Sequence, residues 1–303
     1  MKRILLITNL ANREATTAQG TILSEFTERL NKLDETYQYG FCAVQDLIFE
    51  VTTSREIHIW LHGKELAETY DVLHLRNMQK FTDYANALRI YAEHKGISIV
   101  NVADVTLPYY GKVSQGMVLA LHDIPTPAYL SCADNQLLAD TIVERDLSYP
   151  LIIKHNEGIK GNDNYLVRSS DHMQEVLSQD KHHFVAQPFI ANDGELRVLT
   201  FGFDATPMIF KKQAVEGSHL NNTSKGGNAE LVDVTQLPDG LLDDAMNAAK
   251  ATNRAVSGVD VLLAKDGTWC ILEVNSTPQI ATGAYTDEKV TLYHQYFVNG
   301  ENI

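Results

Sequence analysis

The chain has 303 residues, 44% hydrophobic and 21% charged, a globular composition with room for two or three domain cores. With 25 Lys and Arg against 39 Asp and Glu the net charge is −14, which disfavours nucleic acid and anionic membranes as partners. No apolar run approaches the roughly 20 residues that span a bilayer, and the run at residues 4–7 is too short for a signal peptide and reads as a first β-strand. From the N-terminus, residues 3–8 form a predicted strand and 20–33 a helix, with apolar residues Ile22, Leu23, Phe26 and Leu30 at helical spacing. Residues 38–44, 47–52, 57–61 and 71–75 are β-rich, 81–94 helical and 97–101 a further strand. Strands alternating with helices predict a small open α/β domain over residues 1–110, whose ligands lie beyond the carboxyl ends of strands. Asn9 and Arg76 stand at such ends and are candidate substrate contacts, with a plain surface role as the alternative.

A second region begins near Tyr110. Residues 112–121 read as a helix, and two prolines then enforce an extended path into a strand at 128–131. Asp134 caps a helix running to about residue 146. The strand at 150–155 carries one lysine, Lys154, and feeds a glycine-bearing loop with Gly158 and Gly161 before a return strand at 165–168. A fixed cation beside backbone that anions can approach closely suits phosphate, although the spacing is not that of a Walker A loop and a plain turn is the competing reading. A helix at 171–179, strands at 184–189, 196–203, 208–214 and 229–234, and an amphipathic helix at 241–253 follow.

Residues 257–278 carry the strongest local signal. Two strands, 259–264 and 269–275, flank an Asp-Gly turn. Strand alternation places Trp269, Ile271, Glu273 and Asn275 on one face and Cys270, Leu272 and Val274 on the other. Asp260 lies across the hairpin. Three oxygen-donating side chains from two rigid strands suit a hard divalent cation such as Mg²⁺. A solvated strand face is the competing reading. A closing helix is expected around residues 289–297.

The ordered blocks GELRVLTFG, QAVEGSHLNNTSKGGNAELV, SGVDVLL and EVNSTPQIATG resemble the ATP-grasp superfamily, and within it the RimK-like amino-acid and peptide ligases. The likeness covers about residues 110–283; residues 1–110 are similar to the preceding domain of that family in layout only. It implies an α+β ATP-grasp fold: an N-terminal pre-ATP-grasp domain at 1–110, then subdomains at 111–190 and 191–303 with ATP between antiparallel sheets. Carried over by position, Asp260, Glu273 and Asn275 are the Mg²⁺ ligands, with Mn²⁺ as a substitute. Lys112 and Lys154 hold ATP phosphates beneath the loop of Gly158 and Gly161. Gln187, Phe189 and Ile190 form the hinge against adenine, and Glu195 approaches the ribose. Arg197, Lys212 and Asn222 face the reacting phosphate. The implied activity is an ADP-forming ligase that joins a carboxylate to an amine through an acyl phosphate.

Three positions depart from the family pattern. Ile159 and Asp163 stand in the glycine loop where glycine or serine is usual. Pro188 replaces a common hinge acid and removes a backbone N–H. Leu220 stands where relatives tend to carry arginine, which bears on preference for acidic substrates. Rival readings within the fold are a macrocyclase of a ribosomally made precursor peptide and a small-molecule kinase; a nucleotide-binding module without catalysis is a third. Expected partners are amino acids, peptides or a protein acceptor, with a homo-oligomer implied by the resemblance. Cys42, Cys132 and Cys270 are few, distant and odd in number, which suits a reducing cytoplasm with buried thiols.

Overall fold

The computed structural model describes residues 1–9, 13–78, 81–101, 111–156, 163–178, 183–212 and 229–300. The chain opens with β1 (Lys2–Thr8), α1 (Arg13–Asn31) and β2 (Tyr37–Ala43). An antiparallel sheet of β3 (Leu47–Val51), β4 (Ile57–Leu61) and β5 (Lys64–Glu65) leads into a short helix, α2 (Leu66–Thr69). Then β6 (Val72–Arg76), α3 (Thr82–Lys95) and β7 (Ser98–Val100) complete a parallel sheet in the order β2-β1-β6-β7. Parallel strands covered on both faces need unbroken apolar runs, and β1 supplies one in Ile4, Leu5, Leu6 and Ile7, all buried. Ile4 and Leu6 pack with Phe26 and Leu30 of α1; Leu5 and Ile7 pack with Leu88 and Tyr91 of α3.

The middle of the chain contains α4 (Lys112–Leu121), β8 (Leu130–Cys132), α5 (Asn135–Glu144), β9 (Leu151–His155), β10 (Asn164–Val167), α6 (Ser170–Leu177) and β11 (Phe184–Pro188). Its strands form an antiparallel sheet, β10-β9-β11-β8, and α5 and α6 share a core with it through Leu138, Ile142, Met173 and Leu177. The expected cap is present: the Asp134 carboxylate accepts from the Leu137 N–H at 3.0 Å.

The last part comprises β12 (Asn192–Phe201), β13 (Met208–Lys212), β14 (Ala229–Leu231), α7 (Leu241–Ala251), β15 (Val256–Ala264), β16 (Trp269–Asn275) and α8 (Thr286–Asn299). Its antiparallel sheet runs β14-β13-β12-β15-β16. One face, with Val198, Ile209, Val259 and Val261, packs on α4 and α7. The opposite face changes character along its strands. At one end Leu199, Phe201, Met208, Phe210 and Val256 pack against Tyr293 and Phe297 of α8 and against Ile4 and Leu6 of β1. At the other end the same face carries Glu195, Arg197, Lys212 and Asp260.

Two elements differ from the sequence expectation in an instructive way. β12 begins at Asn192 and not at 196, taking in the polar run Asn192-Asp193-Gly194, because a bulge between Asn192 and Glu195 takes up Gly194 at φ 118°. In β16 strict alternation fails: Asp260 pairs with Glu273 but Val261 pairs with Ile271, so Leu272 is a bulged extra residue. Ile271 and Trp269 consequently join Val274 on the core face, while Glu273 and Asn275 keep the common face expected of them. Without that bulge the polar face would have to accommodate Ile271 and Trp269 beside two carboxylates.

Candidate active site

Strand register builds the site. Arg197 on β12 is the direct cross-strand neighbour of Asp260 on β15, Asp260 that of Glu273 on β16, and Gly258 that of Asn275. Arg197 forks onto Asp260, Nε to Oδ1 at 2.5 Å and Nη2 to Oδ2 at 2.7 Å. Lys212 Nζ donates to the same Oδ1 at 2.7 Å and stands 3.7 Å from Glu195 Oε2. Asn275 Nδ2 donates to Asp260 Oδ2 at 3.2 Å and to Glu273 Oε1 at 3.0 Å. Burial alone would raise the Asp260 carboxyl, but Arg197 and Lys212 together hold it below the ordinary carboxylate range. Gly258 makes room for this row, since a Cβ there would lie 2.7 Å from Arg197 Nη1 and 3.0 Å from its Cδ.

Lys154 of β9 belongs to the same electrostatic field. Burial pushes its ammonium down to about 8, Lys112 adds to that fall, and Glu273 and Glu195 oppose it. Cys270 faces this region too; burial raises its thiol to about 11 and Lys154 pulls against that rise. Lys112, the first residue of α4, donates from Nζ to Asn156 O at 3.2 Å, and the Asn156 side chain accepts from the Val113 N–H at 3.2 Å. The helix bearing one lysine is therefore tied to the residue that follows the strand bearing the other.

At the expected hinge, Gln187 is buried in β11 opposite Ile152. The Phe189 N–H donates to Pro150 O at 3.1 Å, and Ile190 O accepts from Asn192 Nδ2 at 2.9 Å. Gly158, Gly161 and Asn222 lie outside the described residues, as do Ile159 and Leu220. Among the described residues no group of three or more His, Cys, Asp or Glu is arranged for a metal. The set at hand is two carboxylates and a carboxamide, oxygen donors suited to Mg²⁺ shared with phosphate. Asn275 turns its NH₂ toward both carboxylates in this arrangement, so rotation of its amide would present Oδ1 to a cation and complete the donor set.

A family model described as the RimK-like ATP-grasp domain matches residues 111–294. The chain belongs to the RimK-like ATP-grasp family. A probable alpha-L-glutamate ligase of Xanthomonas oryzae pv. oryzae is 30% identical over 202 residues, 65% of this chain and 66% of that protein, just under two thirds of the relative's length. The solved ATP-grasp ligase PsnB, complexed with a phosphomimetic variant of a minimal precursor, Mg and ADP, superposes with a TM-score of 0.68 at 14% identity, covering 99% of this chain and 98% of that one. D-alanyl-alanine synthetase A of Vibrio cholerae superposes with a TM-score of 0.67 at 15% identity, covering 98% and 96%. The ATP-grasp fold expected from the ordered sequence blocks is thus the fold observed, and the family's relatives carry ligase names.

Of the residues picked out in sequence, the RimK-like fold brings Glu195, Arg197, Lys212, Asp260, Glu273 and Asn275 onto one face, sets Lys154 within the field of Glu273 and Glu195, and sets Lys112 close to Lys154. Asn9 and Arg76 stand at the carboxyl edge of the parallel sheet, where Arg76 Nη2 donates to Pro278 O at 3.0 Å, just beyond the end of β16. Asn156 and Arg254 escaped the sequence reading. Arg254 is buried with its Nη1 on Val274 O, between Glu273 and Asn275 in the chain. Asn156 opens the glycine-bearing loop and Arg254 follows the amphipathic helix, but the side chain of each meets a backbone atom far away in sequence.

Proposed function

We propose that the protein is an ATP-dependent carboxylate–amine ligase that forms an amide bond with release of ADP and phosphate. The observation that carries this reading is the single row Arg197–Asp260–Glu273 with Lys212 and Asn275 beside it, Lys154 within the field of Glu273, and Lys112 close to Lys154. A carboxylate oxygen of the donor attacks the γ-phosphorus of ATP, the bond to the β–γ bridging oxygen breaks, and ADP leaves. The acyl phosphate then receives the acceptor amine at its carbonyl carbon. The carbon–oxygen bond to phosphate breaks, phosphate departs and the amine gives up a proton.

Lys154 and Lys112 are assigned to the nucleotide phosphates, and Arg197 and Lys212 to the equatorial oxygens of the phosphoryl group in flight, where preorganised positive charge stabilises the transition state most. Asp260 holds Arg197 and Lys212 in place before substrate arrives. Asp260, Glu273 and Asn275 are assigned to Mg²⁺, which when bound neutralises phosphate charge. Glutamate as amine is supported by the names of the curated relatives, and a peptide partner by the precursor complexes of the solved ones. The test incubates the protein with Mg-ATP and pools of amino acids and peptides, following ADP, phosphate and product mass. ADP and phosphate with a joined product is the expected outcome. AMP formation would overturn the acyl-phosphate route, and a phosphorylated alcohol would place the protein among kinases.

A further inference from the structure

Among the described residues β16 is the outer strand of its sheet, and one row of its backbone groups has no strand partner there. That edge is closed from the middle of the chain. Ile271 N–H donates to Pro125 O at 2.7 Å, and Thr126 Oγ1 donates to Ile271 O at 3.2 Å. Three residues further, where the bulge turns the next outward-facing position to Val274, the partner is Gln115 of α4. Its Oε1 accepts from the Val274 N–H at 2.6 Å and its Nε2 donates to Val274 O at 3.1 Å, so one carboxamide pairs with both backbone groups of a residue as a neighbouring strand would. Gln115 is 4% exposed. Val274 lies between Glu273 and Asn275, and Gln115 is one helical turn from Lys112.

We propose that Gln115 is a positioning residue that fixes Glu273 and Asn275 relative to the phosphate-directed lysines. It rests on the assignment of Glu273 and Asn275 to the divalent cation. The physical case is a chain of short, rigid links. Asn156 ties the N-terminus of α4 to the end of β9 and hence to Lys154; Gln115 ties the next turn of α4 to β16. A helix held at both points spaces the two lysines and the two cation-directed side chains as one body. Arg254 also donates to the Val274 carbonyl but, having no acceptor, offers nothing to the N–H, so the acceptor half of the Gln115 amide has no second counterpart among the described residues.

The test measures Mn²⁺ affinity in the presence of ADP, by electron paramagnetic resonance of free Mn²⁺, on the folded 303-residue chain. Residues behind a metal's direct ligands are worth 10–100-fold in metal affinity. Gln115→Met, which keeps volume and loses both bonds, is expected to weaken Mn²⁺ binding by about tenfold or more. Gln115→Glu, which keeps the acceptor for the Val274 N–H, is expected to fall between it and wild type. Thr126→Val removes a bond from the same strand edge but three residues from Val274's position, and is the control for general loosening of β16; its Mn²⁺ affinity should match wild type. Equal affinities for Gln115→Glu, Gln115→Met and wild type would overturn the inference, as would a Thr126→Val loss as large as that of Gln115→Met. If Gln115→Met fails to fold, the Gln115→Glu comparison with Thr126→Val decides alone. Absence of Mn²⁺-dependent ADP binding in wild type overturns the cation assignment itself and the inference with it, whereas intact wild-type binding with unaffected Gln115 variants sinks the inference only.

Discussion

At the scale of single residues the site is held by charge balance in a buried place. Asp260 is 5% exposed and answers two cations at once. Removing one member of such a set strands the others, which costs about 3–5 kcal/mol, far more than a neutral hydrogen bond at about 1 kcal/mol. Asp260→Asn should therefore lower stability in urea unfolding by about 3–5 kcal/mol, and Asn275→Ala by no more than about 1.5 kcal/mol. Similar small losses for both would mean that Arg197 and Lys212 do not depend on Asp260. Gly258 offers a geometric test of the same row. A methyl group there cannot coexist with the present Arg197 side chain, which is pinned by Asp260 and so cannot simply swing away. Gly258→Ala is expected to fold, yet to lose on the order of 100-fold in kcat for ADP release, the scale attached to a misplacement of about 1 Å. Wild-type turnover in Gly258→Ala would show that the observed pose of Arg197 is not the working one.

The elements show which features of the fold were legible in sequence and which were not. Helix α4 and strands β4 and β16 occupy the spans expected of them, β16 through its Asp-Gly turn, and β1 is recognisable because a doubly covered parallel strand has to be apolar throughout. The two bulges were hidden, because a single extra residue leaves composition and turn signals untouched. In β12 the run Asn192-Asp193-Gly194 resembles a loop until the bulge at Gly194 folds it into the ladder. In β16 plain alternation assigns Ile271 to the polar face, although it is wholly buried among Val259, Val261 and Val274. Glu273 and Asn275 were still placed correctly, since they lie on the same side of the bulge. Ile271→Ala tests the revised register: a core position should lose about 2–5 kcal/mol in chemical denaturation, whereas a residue facing an open cleft would lose far less. The links made by Gln115, Asn156 and Arg254 were illegible for a different reason, because each is a side chain meeting backbone that only the tertiary fold brings near.

The whole molecule is knitted by a core that disregards the order of the chain. Ile4, Phe26, Leu30 and Tyr39 from its beginning pack with Val256, Tyr293 and Phe297 from its end. A fragment of residues 1–101 would leave that apolar face uncovered, and it should fail to unfold cooperatively on heating; a sharp calorimetric transition from the fragment would show that it stands as an independent domain. The polar centre of the same junction carries a pH dependence. His74 on β6 is fully buried, with Nδ1 2.6 Å from the Tyr293 hydroxyl and Nε2 3.2 Å from Asn101 Nδ2. The Asn101 amide is oriented by Val256, whose N–H donates to Oδ1 and whose carbonyl accepts from Nδ2. Asn101 therefore offers a donor to His74 Nε2, which must be bare, and Nδ1–H donates to Tyr293. A second proton on Nε2 would face an N–H and lose the bond. Burial first, then the nearby Arg76 charge, push His74 well below its ordinary 6.5. The unfolded chain binds a proton as pH falls through 6.5 while the folded chain does not, so the stabilisation is complete above that value and is lost progressively below it. The expected slope reaches about 1.4 kcal/mol per pH unit. Urea unfolding between pH 7.5 and 5 should show wild type losing stability faster than His74→Gln on the acid side, with parallel curves above pH 7; parallel curves throughout would mean that His74 accepts a proton in the folded protein.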